Sequence, residues 1–253
     1  MTDLNRRQAL GALGAVSLST LLAACGDERT QLAAGPKPTA EAATTPSPTS
    51  TSRLTIAQFD SATTCQVATE LTEGPYYFDV DAIRSDIRED RQGTALRLGV
   101  RVRDARACEP IENAIVDVWH CDATGLYSGF ESASTGGPGG GGRTDEETYL
   151  RGAQATNRDG IVEFTTIYPG WYRGRTTHIH AKVHLDRRTL LTTQFFTTKA
   201  FDEIVFARPP YNTDQGRDTF NETDMIYSEQ GELTLSEDGE AVLGLITLDV
   251  QRT

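Results

Sequence analysis

From residue 94 onward, apolar and polar residues alternate with a period of two, the mark of half-buried strands. In Leu96-Arg97-Leu98-Gly99-Val100-Arg101-Val102-Arg103, leucine and valine alternate with arginine or glycine. Further strand-like runs cover 114–121, 161–166, 177–185, 190–198 and 241–250. Turn signals separate them: Asp104-Ala105, Arg158-Asp159-Gly160, Asp186-Arg187-Arg188 and Glu237-Asp238-Gly239. No helical period of useful length appears beyond short turns near 145–151 and 200–206. Many short strands at this spacing predict an all-β sandwich, and no internal repeat is present. Residues 134–143, S-T-G-G-P-G-G-G-G-R, support no regular structure and lack the lysine and strand-to-helix context of a phosphate loop. Residues 207–223 form a second long polar loop, of a length that often borders a site.

Upstream of residue 60 the composition changes. Residues 1–24 join Asn5-Arg6-Arg7-Gln8 to a short Ala/Gly/Leu/Ser run, which reads as an export signal because a stable membrane span needs ~20 apolar residues. The paired arginines resemble a twin-arginine signal. Leu22-Ala23-Ala24-Cys25-Gly26 resembles a bacterial lipobox, which implies lipidation of Cys25. Residues 27–52 are rich in Thr, Pro, Ala and Ser, a composition unable to bury a core. The expected organisation is a signal over 1–24, a lipidated cysteine and disordered tether over 25–60, and one folded domain over 61–253. The chain is then expected to be exported and held at the cell surface or membrane only by its N-terminal lipid.

Charge narrows the partners. The chain carries 24 basic and 36 acidic residues, for a net charge of −12. An acidic surface repels nucleic acid and anionic lipid. It also disfavours anionic substrates unless a local arginine compensates. Beyond Cys25, three cysteines remain, so at most one internal disulfide forms. Cys65 precedes the first ordered-looking segment and Cys108 sits in a turn; their pairing, which would pin an N-terminal arm to the body, is the expectation, with Cys121 left free.

One stretch concentrates the chemistry. Residues 168–184 read Y-P-G-W-Y-R-G-R-T-T-H-I-H-A-K-V-H and hold three of the four histidines. An extended backbone points His178 and His180 to one face, about 6–7 Å apart, where one metal ion can take both. The Pro169-Gly170 turn is placed to fold Tyr172 over that face. Tyr127, after the Gly125 turn, offers a second phenol from another strand. Imidazoles alone suit zinc, copper, nickel or iron. Phenolate is a hard anion whose pKa near 10 must be lowered by a strongly charged metal, which favours ferric iron. Tyr76, Tyr77 and Tyr168 read as packing or pocket-wall residues, Trp119 and Trp171 as core or rim aromatics, and His120 and His184 as structural.

The P-G-x-Y turn, the R-x-x-H-x-H that follows it and the earlier D-x-W-x-x-D-x-x-G-x-Y segment together resemble the intradiol ring-cleavage dioxygenases. Thr72-Glu73-Gly74-Pro75-Tyr76-Tyr77, Asn113-Ala114 and Gln194 extend the resemblance over roughly residues 65–250. It implies an immunoglobulin- or prealbumin-like sandwich with long site-bordering loops. It also implies non-haem Fe(III) on Tyr127, Tyr172, His178 and His180, with Arg175 and Gln194 facing the substrate. Tyr172 would double as a base that leaves the iron when substrate binds. The implied reaction splits a catechol-type diol between its hydroxyl-bearing carbons with O2, giving a muconate-type diacid that keeps both oxygen atoms. Soluble members often carry an N-terminal helical dimerisation region or two subunit types. Here a lipobox and tether take that place, so a monomer or weak homo-oligomer is expected. The alternatives are a non-catalytic surface lipoprotein and a zinc- or copper-binding sandwich on the same scaffold.

Overall fold

The computed structural model describes residues 53–59, 65–134, 142–211 and 216–252. Two four-stranded sheets face each other. The strands are β1 (Ala95–Asp104), β2 (Ile115–Trp119), β3 (Arg151–Ala155), β4 (Ile161–Ile167), β5 (His178–Leu185), β6 (Arg188–Phe196), β7 (Thr234–Asp238) and β8 (Ala241–Val250). The first sheet has the order β4-β1-β8-β7 and the second β3-β2-β5-β6. Neighbours run antiparallel except β1 and β8, which are parallel.

The alternation decides what lies between the sheets. Leu96, Leu98, Val100 and Val102 of β1 point inward with Phe164 of β4 and Ile246 and Leu248 of β8. They meet Val116 and Val118 of β2, Ile179, Ala181 and Val183 of β5, and Phe195 of β6. Each such side chain contributes about 1.5–3 kcal/mol by leaving water. Because the side-chain period is two, burying Ile179 and Ala181 sends His178, His180 and Lys182 to the outer face of the second sheet.

The core strands follow the apolar runs, and the differences lie elsewhere. β3 and β7 are strands at sheet edges that carry no alternating apolar signal (R-G-A-Q-A and T-L-S-E-D). The β5–β6 turn is tighter than expected: Asp186 and Arg187 both take positive φ, at 49° and 63°, and Arg188 already belongs to the strand. The short turn near 200–206 becomes a helix, α2 (Lys199–Phe206), after the four-residue α1 (Glu131–Ser134). No helix forms at 145–151, because the Asp145 carboxylate takes the N–H groups of Gly129, Glu131 and Glu147 at 2.6, 3.1 and 3.0 Å.

The expectations for residues 1–24, for lipidated Cys25 and for the tether through residue 52 lie outside the described residues. The tether's expected end at residue 60 is corrected: residues 53–59 pack on the outer face of the first sheet. Leu54 and Phe59 are buried there against Ile161 and Leu245. A side chain at Gly99 would collide with Leu54, so that glycine is what lets the strap lie flat. Downstream, a long arm (65–93) crosses to the second sheet. Cys65 and Cys108 form a disulfide at its start. Asp249 fixes it as well, accepting Gln66 N–H on its carboxylate and Ala68 N–H on its carbonyl, while Arg103 holds the same carboxylate at 2.7 and 3.0 Å.

Candidate metal centre

The centre stands at one end of the second sheet's outer face, where three segments meet. β5 supplies His178 and His180, both buried. Tyr127 comes from the loop after β2. In that loop the Asp122 carboxylate accepts from Thr124 N–H and Leu126 N–H at 2.8 and 3.0 Å and turns the chain at Gly125, whose φ is +88°. Tyr172 comes from the loop before β5. A Cβ on Gly125 would lie 2.5 Å from Trp171 O, and one on Gly170 would lie 2.5 Å from Ala123 O. The two glycines therefore let the loops interlock, which brings the Tyr127 and Tyr172 rings to 5.7 Å between centroids.

Three of the four side chains converge on the fourth, at His178 Nε2. Tyr127 Oη is 3.3 Å from it, Tyr172 Oη 3.1 Å and His180 Nε2 3.2 Å. His178 Nδ1 lies 2.6 Å from Thr176 O, so it carries the proton and Nε2 is a bare lone pair. One lone pair accepts one hydrogen bond, yet three polar groups crowd it. His180 adds a buried Nδ1 with no hydrogen-bond partner. Its ring is stacked on Trp119, 4.9 Å away and 6° from parallel. Gly74 of the arm closes the other side, where even a Cβ would come within 3.1 Å of His180 Cε1.

Burial holds every donor neutral. It lowers His178 to about 3 and His180 well below its ordinary value, with Arg175 adding to both. It raises the Tyr127 and Tyr172 phenols above theirs. Groups about 2 Å from one metal stand about 3 Å apart, which is the spacing present here. One wholly and one partly buried phenol with two neutral, buried imidazoles therefore fit a multiply charged, oxygen-seeking cation.

Arg175 borders this group. Its Nη1 is 3.4 Å from His178 Nε2, Nε donates to Asp224 at 2.9 Å and Nη2 donates to Gln194 Oε1 at 2.5 Å. Gln194 Nε2 in turn donates to Thr72 O at 2.9 Å, tying the guanidinium to the arm. Asp224 also accepts Thr176 N–H and Ile226 N–H, both at 2.8 Å.

All six residues singled out in the sequence (Tyr127, Tyr172, Arg175, His178, His180 and Gln194) thus meet at one place. His184 does not: beyond a bulge in β5 it bonds Thr189 Oγ1 at 3.0 Å. His120 sits between the sheets with both nitrogens satisfied, by Cys121 O at 2.8 Å and Thr166 Oγ1 at 2.7 Å. Cys121 is a buried free thiol that donates to Gly170 O. Asp224 had no sequence signal beyond following a polar loop, and the covering role of Gly74 and Trp119 depends on long-range packing.

A family profile described as Dioxygenase matches residues 72–208, more than half of the chain. An intradiol ring-cleavage dioxygenase of Tetranychus urticae superposes with a TM-score of 0.69 at 32% identity, covering 74% of this chain and 95% of that one. Catechol 1,2-dioxygenase 1 of Acinetobacter lwoffii is 31% identical over 105 residues, 34% of this chain and 31% of its own. Chlorocatechol 1,2-dioxygenase of Rhodococcus opacus is 29% identical over 129 residues, 44% of this chain and 46% of its own. This chain thus spans less than half the length of either curated relative. With the profile lying across the arm, both tyrosine loops and the histidine strand, and with a sandwich shared nearly end to end, the chain belongs to the intradiol ring-cleavage dioxygenases.

Proposed function

We propose that the protein cleaves catechol-type diols between their hydroxyl-bearing carbons, using O2 and a non-haem ferric ion, and releases muconate-type diacids. The observation that carries this reading is the crowding of two phenols and an imidazole around the bare His178 Nε2. Tyr127, Tyr172, His178 and His180 would hold the iron. Bound there, ferric iron would supply the Lewis acidity that lowers the pKa of the diol hydroxyls, so that the diol meets dioxygen as an electron-rich, deprotonated species.

The chain's own groups do the rest. The Thr176 carbonyl fixes the His178 tautomer, and Trp119 fixes the plane of the His180 ring. Tyr127 is wholly buried, whereas Tyr172 is only partly buried, at the rim of the site. Tyr172, whose phenol would be ionised only with the cation bound, would then be the base that takes a proton from the incoming diol. Arg175, held by Asp224 and Gln194, places a fixed positive charge where the diol becomes anionic. Tyr76, 4.9 Å from the Tyr127 ring, helps the arm keep water out.

Two arms test the chemistry. The iron-loaded protein should be red-brown, take up oxygen with catechol and release a product absorbing in the ultraviolet. A colourless protein with stoichiometric zinc and no oxygen uptake would sink the reading, and Tyr172→Phe should shift the visible band and slow turnover. The proposed setting is outside the cytoplasm, anchored through lipidated Cys25, on the strength of the Arg6-Arg7 leader and the Leu22–Gly26 motif. Cys25→Ala should then release the protein from membranes; retention in the membrane fraction would remove the anchor.

A further inference from the structure

Between β4 and β5 the chain runs through residues 168–177, a connection that carries Tyr172 and Arg175 and then enters His178. One ion pair holds both of its ends. At the first end the Tyr168 hydroxyl donates to Asp202 Oδ1 at 2.7 Å. At the second, Arg217 Nη2 donates to Thr176 Oγ1 at 2.7 Å. Arg217 Nη1 joins the two anchors by donating to Asp202 Oδ2 at 2.5 Å. Asp202 stands in the first turn of α2 and is buried. Thr197 Oγ1 also donates to it, at 2.6 Å, so both carboxylate oxygens are occupied. Arg217 belongs to the long polar loop whose length marked it as a border of the site.

Thr176 is where the pair reaches the metal-binding face. Its hydroxyl, besides accepting from Arg217, donates to Asn221 Oδ1 at 2.6 Å. Its N–H donates to Asp224 at 2.8 Å, and its carbonyl accepts His178 Nδ1–H at 2.6 Å. Every polar group of this buried residue is therefore committed. Displacing Thr176 would move the carbonyl that sets the His178 tautomer. It would also disturb Asp224, which holds Arg175 Nε at 2.9 Å. A buried ion pair is a weak stabiliser, because removing both charges from water offsets most of their attraction. What it supplies is direction: the planar guanidinium donates along fixed lines and holds Asp202 and Thr176 in one geometry.

Resting on the ring-cleavage reading above, we propose that Asp202 and Arg217 are positioning residues: acting through Tyr168 and Thr176, they fix Tyr172, Arg175 and His178 relative to one another. The test uses the full chain, metal-free and iron-loaded, with catechol as substrate. Thr176→Val removes one hydroxyl at one anchor and Tyr168→Phe one hydroxyl at the other, and both leave the ion pair in place. In the metal-free chain each variant should speed amide exchange across residues 169–178 and leave β1 and β8 unchanged. Loaded with iron, each should shift the visible band and lower kcat about tenfold, with KM within about twofold of the unaltered chain. Arg217→Met releases both anchors and should lower kcat about 100-fold. If it fails to fold, the two hydroxyl variants decide the matter alone. An unmoved band and kcat in both hydroxyl variants overturn the proposal and leave the pair a prop of the fold, whatever happens to stability. An effect in only one of them overturns the joint anchoring. Absence of oxygen uptake by the unaltered chain removes the ring-cleavage reading, while the band and the exchange rates still decide whether the anchors act.

Discussion

The outer faces of the two sheets are built from the same alternation and finished in opposite ways. On the first sheet two of the three outward arginines of β1 meet carboxylates: Arg97 reaches Glu163 and Asp238, and Arg103 grips its register partner Asp249 through two nitrogens, while Arg101 between them keeps a buried Nε without a partner. On the second sheet the outward histidines His178 and His180 meet no carboxylate, only each other, two phenols, Arg175 and a carbonyl. The register partners Asp117 and Lys182 do not pair there either; Lys182 goes to Glu73 and Asp117 accepts from Tyr77. His120, between the sheets, shows what a satisfied histidine looks like in this molecule. A polar group whose needs the fold meets is structural; one left crowded and bare is set up for a ligand.

The largest test of this contrast exchanges its histidines. His180→Ala should take iron from about one per chain to near zero, measured by elemental analysis, and lower ring-cleavage turnover by more than about 1000-fold. His120→Gln should keep its iron and lose only stability. If both variants kept iron, the distinction between crowded and satisfied nitrogens would fail. On the opposite face, Arg103→Ala should cost about 3–5 kcal/mol in chemical denaturation with iron content unchanged, because it strands the buried Asp249 carboxylate that also fastens the arm. Replacing Cys65 and Cys108 together by serine opens a link between residues 43 apart and should cost about 2–4 kcal/mol. Refolding midpoints that match the unaltered protein would show that the arm is held by Asp249 alone.

How much of this could be read from the chain follows from the range of the forces involved. The core strands were legible because period-two burial is a local signal, and His178-Ile179-His180 inherits its direction from it. The edge strands β3 and β7 lacked that signal, since each covers little of the core. At the centre, Tyr172 was legible through Pro169-Gly170, which sets a nearby turn. Asp224 was not, since it meets Arg175 across 49 residues of sequence. Nor was the start of the folded unit, because Leu54 and Phe59 are two isolated apolar residues that acquire meaning only over Gly99.

The smallest effect isolates one acid of the site face. Asp117 is raised to about 6, chiefly by burial, with Asp79 adding to the rise and Tyr77, Arg151 and Lys182 opposing it. A carboxyl whose folded pKa lies above its unfolded value near 3.9 binds its proton more tightly when folded. Its contribution to stability is therefore complete below about pH 4 and disappears as pH rises through about 6. Asparagine has no proton to lose. The stability of Asp117→Asn relative to the unaltered protein should then grow by about 2 kcal/mol between pH 4.5 and pH 7, once histidine effects common to both are subtracted. Urea unfolding at the two pH values reads the difference directly. If the two proteins gave parallel pH profiles, Asp117 would be an ordinary ionised surface carboxylate, and the second sheet's outer face would be finished in the manner of the first.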